Sequence, residues 1–558
     1  MANYDNLISA IKASIKPNGT QAITGQVLQD TLLGMVSQLG KNYAFGGVAT
    51  PSTNPGTPTT NTFYIATEAG TYANMGGVVL NASEFAVIAW DGTVWSKHTV
   101  FDVLSLPEAE GADPQTLVSI VVDGNQLKQV KLASMLSYKE EEVAYGVEWN
   151  VSVSSSAMTR IGNMSLHRSL PIHKKMKGCL LDDDGNVVEY LPDDDWTSAT
   201  LDGSRGQVMV EIPMHYRKFE TIGNVRRCWV SEYPVSGYHK VPKMYISAYE
   251  ASVQRSTLKL ASVKNTTADY RGGNNKSAWD GTYRTLLGRP ATAISRTNFR
   301  SYARNRKSST TEWNCQDYNA YKAIFWLYVV EYANSNCQLA FNGAKDSNGY
   351  AQGGLGNGVT TMSRSAWGAY NSYCPFVPCG HTNELGNGSG EVAYDVKQEN
   401  GSILATVYAN RYRGIENPFG HIWKWTDGIN IQINPTAENG GDNTSKVYVA
   451  DDPAAYNDSN YDGYTMRGLE ARDNEYVKEL VFGEFGDIMP ATVGGGSTTY
   501  WADYHHTDIP TATTLRGVLF GGATHDGALA GFGYAHSINA PSHTSAFIGS
   551  RLCFIPQK

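Results

Sequence analysis

The stretch that most constrains the fold is DYNAYKAIFWLYVVEYAN, residues 317–334, in which most side chains are apolar or aromatic. Its length and composition predict one strong helix. The residues that fall within one or two turns of each other are Ile324, Leu327, Tyr328, Glu331 and Tyr332. A helix that is apolar on almost every side has to be enclosed by other parts of the protein. The chain therefore needs a core large enough to surround it.

The composition indicates that this core is built mainly from short strands and loops. The 558-residue chain contains 56 glycines, 33 tyrosines and 12 tryptophans, and only 18% of its residues are charged. This balance is typical of loop-rich β structure with aromatic packing or an aromatic binding surface. A core strand is predicted at 419–433, with Trp423 and Trp425 on one face. The predicted fold class is α+β with large insertions.

Charge and hydropathy exclude two classes of partner. The net charge is −8 and the basic runs are short, so no nucleic acid is expected as a partner. No run of eighteen apolar residues occurs, and no membrane insertion is expected. The N-terminal MANYDNLISAIKAS lacks the charged and apolar regions of a secretory signal.

Four segments are predicted along the chain. Residues 1–42 contain two short helices with apolar stripes, which are either an oligomerisation segment or a local hairpin packed on the next domain. Residues 43–100 form a small β module, residues 101–145 a β-hairpin connector, and residues 146–558 the main domain. The strands predicted in the β module are Thr62–Ala66, Val78–Leu80, Phe85–Trp90 and Val94–Lys97.

Neither a metal site nor a cofactor is expected from the residue spacings. Cys374 and Cys379 are close enough in sequence for a bridge or a metal pair, but reduced, partly buried thiols are the favoured interpretation. The acid trio Asp182–Asp184 is predicted to form a tight turn, because Val187 stands where a calcium loop needs glycine. No nucleophile-elbow, Walker, zinc-protease or dinucleotide motif is present, and no enzyme is predicted.

The late histidines allow two interpretations. His505, His506, His525, His536 and His543 fall within forty residues. A metal cluster is one interpretation, since imidazole is a common metal ligand. No HxH or HxxxH pair with a nearby carboxylate supports it, and surface histidines are the favoured interpretation.

Three stretches resemble known families. NPFGHIWKWTDG (417–428) resembles the tryptophan-bearing core motif of the C-type lectin fold of the formylglycine-generating-enzyme type. GGGSTTYWADY (494–504) and residues 515–554 resemble the C-terminal end of variable proteins that phage and bacterial retroelements diversify. Residues 43–72 resemble, more weakly, modules in tail proteins of phages that infect Bacteroides. The resemblance implies a C-type-lectin-like receptor-binding domain over 146–558, with a variable region at about 501–554.

The resemblance also gives a reason for the mixed side chains near the C-terminus. In such systems reverse transcription changes adenines, mostly in Asn-type codons, which cannot become Lys, Glu, Gln, Met or Trp codons. None of these residue types occurs between Ala523 and Phe547. Diversity of this kind requires outward-facing side chains on a backbone fixed elsewhere. Glycines expected to hold turns are Gly521, Gly522, Gly527, Gly531, Gly533 and Gly549, and the expected packed layer is Trp423, Trp425, Phe532 and Leu552.

The implied function is that of a phage tail receptor-binding adhesin, made in the host bacterial cytoplasm and carried in the virion at the tail tip or fibre. It would bind a host bacterial surface glycan or protein, attach to other phage tail proteins through residues 1–42, and assemble as a homotrimer. The expected receptor-binding residues are Tyr504, His505, His506, Thr524, His525, Asp526, Ala528, Leu529, Tyr534, His536, Ser537, Ile538, Asn539, Ser542, His543, Ser545 and Phe547.

Two alternatives remain open at this point. One is a formylglycine-type oxidase or a glycan hydrolase acting on the host surface. The oxidase needs a close cysteine pair near its C-terminal active site, and here Cys553 is the only late cysteine. A hydrolase needs two acids that need not be close in sequence. The other alternative is a purely structural tail protein, in which Ala523–Phe547 would be buried between subunits.

Overall fold

The computed structural model describes residues 43–66, 68–81, 84–102, 117–122, 126–131 and 139–556. The helices expected within residues 1–42 lie outside this range. The described part of the chain is mostly β with few helices, and the C-type lectin layout stays a prediction. The chain divides into two compact units, Met1–Ala112 and Asp113–Lys558.

The smaller unit is a β structure in its described residues. Its strands are β1 (Ala44–Ala49), β2 (Thr62–Ala66), β3 (Gly70–Tyr72), β4 (Val78–Leu80), β5 (Glu84–Trp90) and β6 (Trp95–Asp102). They form a four-stranded sheet in the order β1-β2-β5-β6 and a separate β3–β4 hairpin. The predicted β2 and β4 are confirmed residue for residue. Asp91 stabilises the predicted β5–β6 turn, since its Oδ1 accepts hydrogen bonds from the amides of Thr93 (2.8 Å) and Val94 (2.9 Å).

The larger unit surrounds one long helix with several sheets. Its described α-helices are α1 (Glu140–Val143), α2 (Met164–Ser169), α3 (Pro171–Lys174), α4 (Arg296–Arg304), α5 (Tyr318–Tyr332) and α6 (Arg364–Asn371). Single 3₁₀ turns occur at Ala268–Tyr270, Ser277–Trp279, Asn383–Leu385, Ala437–Asn439, Pro453–Ala455 and Gly527–Leu529.

The strands of the larger unit are short, as the glycine-rich composition indicates. The first group is β7 (Leu117–Val122), β8 (Gln126–Lys131), β9 (Ala144–Asn150), β10 (Thr159–Gly162), β11 (Gly178–Leu181), β12 (Val187–Tyr190), β13 (Gln207–Ile212), β14 (His215–Ile222), β15 (Val225–Ser231), β16 (His239–Val241), β17 (Met244–Ser247), β18 (Ser252–Gln254), β19 (Lys259–Ala261), β20 (Trp313–Cys315), β21 (Phe341–Asn342) and β22 (Gln352–Gly353). The second is β23 (Gly390–Lys397), β24 (Ile403–Tyr412), β25 (Ile415–Glu416), β26 (Trp423–Ile433), β27 (Ser445–Val449), β28 (Thr465–Leu469), β29 (Val477–Phe482), β30 (Asp487–Val493), β31 (His505–His506), β32 (Thr514–Gly521), β33 (Gly531–His536), β34 (Ile548–Gly549) and β35 (Leu552–Phe554).

Three sheets dominate this unit. Their strand orders are β10-β9-β15-β14-β16, β12-β11-β13-β17-β35-β20 and β28-β27-β26-β32-β33-β31, with β34 pairing β26 in the third. The hairpin predicted at 179–191 is confirmed as β11–β12. Strand β35, at the end of the predicted variable region, lies between β17 and β20 and is the fifth of the six strands of the second sheet.

Helix α5 is the predicted apolar helix, and the prediction that it is buried is confirmed. Every one of its residues except Asn319 is buried. Asp317 caps its first turn by accepting a hydrogen bond from the Ala320 amide (2.9 Å), and Ala333 ends it in the left-handed conformation at φ 49°. Burying a large apolar side chain contributes about 1.5–3 kcal/mol, so α5 is a principal source of stability for the unit. In the described part of the chain, no helix has the length and apolar character needed to cross a membrane.

Strand β26 connects this core to the predicted variable region. The predicted core strand begins at Trp423 rather than at residue 419, and almost all of its residues are buried. It pairs with β32 on one side, and β33 continues the sheet beyond β32. The hydroxyl of Tyr321 on α5 donates a hydrogen bond to the carbonyl of Phe532 on β33 (2.9 Å). The expected packed layer is confirmed, since Trp423, Trp425, Phe532 and Leu552 are all buried.

Candidate functional site

The loop Ile538–Phe547 follows β33 and has no regular secondary structure. Its main chain is held by amides from distant parts of the sequence. The bonds run from Gly517 N to Asn539 O (3.0 Å), from Arg296 N to Pro541 O (3.0 Å), from Ala293 N to Ser545 O (2.9 Å) and from Trp423 N to Phe547 O (3.0 Å). Because all of these bonds join main-chain atoms, none depends on which side chains the loop carries.

The side chains of this loop face outward to different degrees. Ser542 and His543 are exposed, and Ile538, Asn539, Ser545 and Phe547 are half-buried. Within the part of the chain that the structure describes, the polar side chains at 539, 542, 543 and 545 make no hydrogen bond. The loop thus combines a fixed backbone with side chains that contribute little to holding it.

The turn Ala523–Gly527, which precedes β33, is also held by hydrogen bonds. The amide and the hydroxyl of Thr524 both donate hydrogen bonds to the carbonyl of His421, at 3.1 and 3.0 Å. The Ala523 amide donates to Oδ2 of Asp526 (2.6 Å), and the Gly527 amide donates to the Thr360 carbonyl (3.1 Å). His525 lies at the centre of this turn and remains half-buried.

Two of the predicted turn glycines have another role. Gly531 and Gly533 lie in strand β33, where neither has a positive φ. A Cβ on Gly531 would lie 1.7 Å from Oδ1 of Asp503, and one on Gly533 would lie 2.7 Å from Oδ2. Glycine is needed here because a buried carboxylate approaches the strand, and the Gly533 amide donates a hydrogen bond to it (2.7 Å). Burial raises the pKa of Asp503 well above its usual value.

The structure brings thirteen of the seventeen expected receptor-binding residues to positions with some exposure. Ala528, Ser542 and His543 are exposed, and the half-buried residues are Tyr504, His506, His525, Asp526, Leu529, His536, Ile538, Asn539, Ser545 and Phe547. The expectation of exposure is wrong for His505, Thr524, Tyr534 and Ser537, which are 0 to 3% exposed. A role in receptor binding stays a prediction for the others.

Each of the four buried residues has an internal partner that explains its burial. Thr524 bonds to the His421 carbonyl, as described above. The Tyr534 ring meets the Trp423 indole edge to face, with ring centres 4.5 Å apart. Ser537 donates a hydrogen bond from its hydroxyl to Oε1 of Glu470 (2.5 Å), and Nε2–H of His505 donates to the Ala471 carbonyl (3.1 Å).

Glu470, His505 and Ser537 form a buried polar cluster, and the last two belong to the predicted variable region. Burial raises the pKa of Glu470 to about 8, against the opposing effect of the Ser537 hydrogen bond. Burial lowers the pKa of His505 to about 4 and that of the neighbouring His536 to about 3. At neutral pH the carboxyl and both imidazoles are therefore predominantly uncharged, as a site withdrawn from water requires.

A second feature of the surface is an aromatic patch formed by Tyr373, His525 and Phe547. Their ring centres are 5.8 to 6.3 Å apart and the rings meet near edge to face. The indole of Trp367 is buried and packs against all three rings. The guanidinium of Arg364 lies 5.9 Å from the centre of the Tyr373 ring.

Sequence reasoning missed Arg364, Trp367 and Tyr373, which lie on and just after α6. A helix start was readable at Ser363, whose hydroxyl accepts a hydrogen bond from the Ala366 amide (3.2 Å). Nothing in the sequence indicated that this helix lies beside His525 and Phe547, more than 150 residues further along the chain.

A buried charged group lies beneath the turn. Nδ1–H of His421 donates to Oε2 of Glu250 (2.5 Å), and the Lys424 ammonium bonds to Oε1 (2.9 Å). Nε2 of His421 accepts hydrogen bonds from two backbone amides, at 3.2 Å each. Burial acts to raise the pKa of Glu250, but Lys424 and His421 lower it to about 2. This group fixes the carbonyl of His421, to which Thr524 is bonded.

The cysteines and the acidic and imidazole side chains are the groups that could bind a metal ion. All seven cysteines, including Cys374 and Cys379, are free thiols and buried. Within the described residues, no group of three or more His, Cys, Asp or Glu side chains is arranged to hold a metal ion.

Comparison with known proteins gives only distant structural matches. No protein-family profile and no curated protein sequence matches this chain. A structure described as PvdO from Pseudomonas aeruginosa aligns with 63% of this chain and 95% of its own, at 13% identity and a TM-score of 0.28. The Major Tropism Determinant M1 variant aligns with 88% of this chain and 95% of its own, at 11% identity and a TM-score of 0.24. The U1 variant aligns with 92% and 99%, at 12% identity and a TM-score of 0.24. TM-scores this low do not establish a common fold.

Proposed function

We propose that this chain is a receptor-binding protein of a phage tail, and that it presents the loop Ile538–Phe547 and the turn around His525 to a molecule on the host bacterial surface. The observation that carries the proposal is the way the loop is held. Its backbone is bonded through main-chain atoms, and its polar side chains make no hydrogen bond within the described residues. A protein whose receptor-contacting side chains change while its fold persists needs a backbone that is held without those side chains.

The composition of the surface supports binding rather than packing. Histidine, serine, asparagine and aromatic residues supply contact area and adaptable hydrogen bonds, much as in antibody loops. Among the predicted residues with some exposure, nine are of these types: Tyr504, His506, His525, His536, Asn539, Ser542, His543, Ser545 and Phe547. Aromatic side chains lose little conformational entropy on binding, which suits a surface that has to work with many side-chain combinations.

The phage tail assignment depends on the sequence resemblance. Residues 494–504 and 515–554 resemble retroelement-diversified variable proteins, and such proteins include virion components that bind host cells. A homotrimer would multiply weak individual contacts into useful avidity. Attachment through residues 1–42 to other tail proteins would place the chain at a tail tip or fibre.

The direct test is binding of the labelled full-length chain to cells of a panel of Bacteroides strains, measured by flow cytometry. The loop variant replaces Ile538, Asn539, Ser542, His543, Ser545 and Phe547 by alanine in the full-length chain. A control variant replaces Ile222, Ile403 and Ser154, exposed residues elsewhere in the larger unit, by alanine.

We expect the unaltered chain and the control variant to stain at least one strain equally. The loop variant should lose most of this staining while keeping its circular dichroism spectrum and unfolding midpoint. Equal staining by the loop variant would contradict the proposed site.

A genomic observation tests diversification separately. We expect a near-copy of the segment coding for residues 501–554 close to a reverse transcriptase gene, with differences mainly at adenines of the copy. A coding segment with no such copy would contradict diversification and would favour the enzymatic alternative.

A further inference from the structure

The aromatic patch combines residues of two origins. His525 and Phe547 belong to the predicted variable region, whereas Arg364 and Tyr373 come from α6 and the residues after it. If the proposed function holds, diversification changes the first pair and leaves the second pair constant. Arg364 and Tyr373 would then meet the same chemical group of the receptor in every variant.

Arg364 has the properties of a binding residue rather than a structural one. It is exposed, and within the described residues its guanidinium has no ion pair or hydrogen bond. It is the first residue of α6, where a positive charge is unfavourable because the helix dipole is positive at that end. Asp526, an acid close to the patch, accepts a hydrogen bond from the Ala523 amide instead of pairing with Arg364.

The chain also keeps Tyr373 in a strained position. Ser372 and Tyr373 both have left-handed backbones, at φ 58° and 64°, which non-glycine residues adopt at a cost in free energy. The Tyr373 ring lies over Gly368, where a Cβ would approach its hydroxyl to 2.7 Å. The backbone and the glycine together hold the ring beside His525, Phe547 and Arg364.

We infer that the aromatic patch and Arg364 recognise a carboxylate-bearing sugar, of the uronic or sialic acid type, in a host surface polysaccharide. A guanidinium fits a carboxylate with two parallel hydrogen bonds. The three rings offer an apolar surface to the C–H face of a sugar ring, as in small-ligand sites with few polar groups.

The dimensions of the surface favour a sugar over a protein partner. The patch consists of three rings and one cation, which matches one ring-sized unit with one anionic substituent. A stable protein–protein interface uses roughly 20–30 residues from each side. The patch supplies four residues, Arg364, Tyr373, His525 and Phe547, which is far fewer than that number.

The test measures binding of the full-length chain to immobilised acidic polymers by biolayer interferometry at low salt. The sugar probes are polygalacturonate, alginate, hyaluronan and polysialic acid. Methyl-esterified polygalacturonate serves as the uncharged control polymer, and poly-L-glutamate as the acidic peptide control. The variants are Arg364→Gln, Arg364→Lys and Phe547→Ala, with Lys174→Gln as a control that removes one exposed charge elsewhere.

We expect saturable binding to at least one of the four sugar polymers and none to the esterified polymer. Arg364→Gln and Phe547→Ala should each weaken binding by about tenfold or more, since charge-assisted hydrogen bonds and buried ring contacts are each of that order. Arg364→Lys should also weaken binding, because lysine lacks the planar fork. Lys174→Gln should bind as the unaltered chain does.

Three results would overturn the inference: no saturable binding to any of the four sugar polymers, equal binding by Arg364→Gln, or binding to poly-L-glutamate alone. The inference rests on the proposed function, and the cell-staining experiment distinguishes a failure of the inference from a failure of the proposed function. If Arg364→Gln still stains host cells while the loop variant does not, receptor binding stands and the acidic sugar is excluded. If the loop variant itself stains cells fully, the proposed function fails.

Discussion

Thr524 is bonded twice to the carbonyl of His421, through its amide at 3.1 Å and its hydroxyl at 3.0 Å. The amide bond would survive any substitution except proline, whereas the hydroxyl bond needs threonine or serine. Thr524, although it lies inside the predicted variable region, therefore helps to stabilise the fold. We expect Thr524→Val, which keeps the shape and removes the hydroxyl, to lower the free energy of unfolding by about 1 kcal/mol. Urea unfolding followed by tryptophan fluorescence measures this change.

Thr544 provides the matched control, because it is exposed. Thr544→Val should change the free energy of unfolding by less than about 0.5 kcal/mol. Equal effects of the two substitutions would mean that the Thr524 hydroxyl bond does not stabilise the turn.

Two serines of the predicted variable region, Ser537 and Ser542, should differ in how much they contribute to stability. The Ser537 hydroxyl donates to the buried Glu470, whereas Ser542 is exposed on the loop. Ser537→Ala leaves a buried carboxyl without its donor and should cost about 1–3 kcal/mol of unfolding free energy. Ser542→Ala should cost less than about 0.5 kcal/mol. The same urea titration distinguishes them, and a neutral Ser537→Ala would show that this residue can vary freely.

Gly531 should not tolerate any side chain. A Cβ there would lie 1.7 Å from Oδ1 of Asp503, so Gly531→Ala forces either the strand or the buried carboxylate to move. We expect a loss of about 3 kcal/mol or more and a low soluble yield. Gly527→Ala, at an open position with φ +55°, should cost only about 1–2 kcal/mol.

A double variant tests the cause of the Gly531 effect. Asp503→Ala removes the carboxylate, and the pair Gly531→Ala with Asp503→Ala should lose less stability than the sum of the two single changes. Additive losses in thermal unfolding would show that the clash with Asp503 is not the reason for glycine.

Glu470 gives the fold a measurable pH dependence. Burial raises its folded pKa to about 8 from an ordinary value near 4.5. Between these values the folded state holds a proton that the unfolded state has lost, so the stability is fully present below pH 4.5 and falls as pH rises through 8. Glu470→Gln cannot titrate. We expect the stability of the unaltered chain to fall relative to this variant by on the order of a few kcal/mol between pH 5 and 8.

His505 changes the stability with pH in the opposite direction, and it is present both in the unaltered chain and in Glu470→Gln. Its folded pKa of about 4 means that stability is lost as pH falls below 6.5 towards 4, and the difference between the two proteins removes this contribution. Exposed Glu384→Gln is the matched control and should give a pH profile parallel to that of the unaltered chain. A constant difference between the unaltered chain and Glu470→Gln from pH 5 to 8 would contradict the assignment.

Some elements of this chain can be predicted from the sequence because a short local pattern is enough to determine them. Helix α5 is apolar on nearly every side, and only burial suits such a helix. The β5–β6 turn follows from Asp91–Gly92, and the β11–β12 hairpin from a similar Asp-Gly pair. The buried tryptophans of β26 follow from their spacing of two residues.

The candidate site was less predictable, because its burial is decided by contacts between distant segments. Strand β33 is buried on both faces up to Ala535, so alternation of polar and apolar residues could not show that Tyr534 is buried whereas His536 is half-buried. Ser537 and His505 look like surface residues until Glu470 is seen behind them. Arg364 on α6 and Tyr373 just after it reach the site because of the position of this helix, which only the tertiary structure shows.

The location of β35 has a consequence for synthesis. Its residues pair with Tyr245 and Ile246 on one side and with Trp313, Asn314 and Cys315 on the other. The ribosome makes them only after Ala523–Phe547, the stretch proposed to be diversified, so β17 and β20 lack the strand that joins them until this stretch has been translated in frame. A stop codon or frameshift introduced by mutagenesis would leave two strand edges unpaired, and such products are open to aggregation and proteolysis. If the proposed diversification occurs, only gene versions with an intact reading frame would give a correctly folded protein.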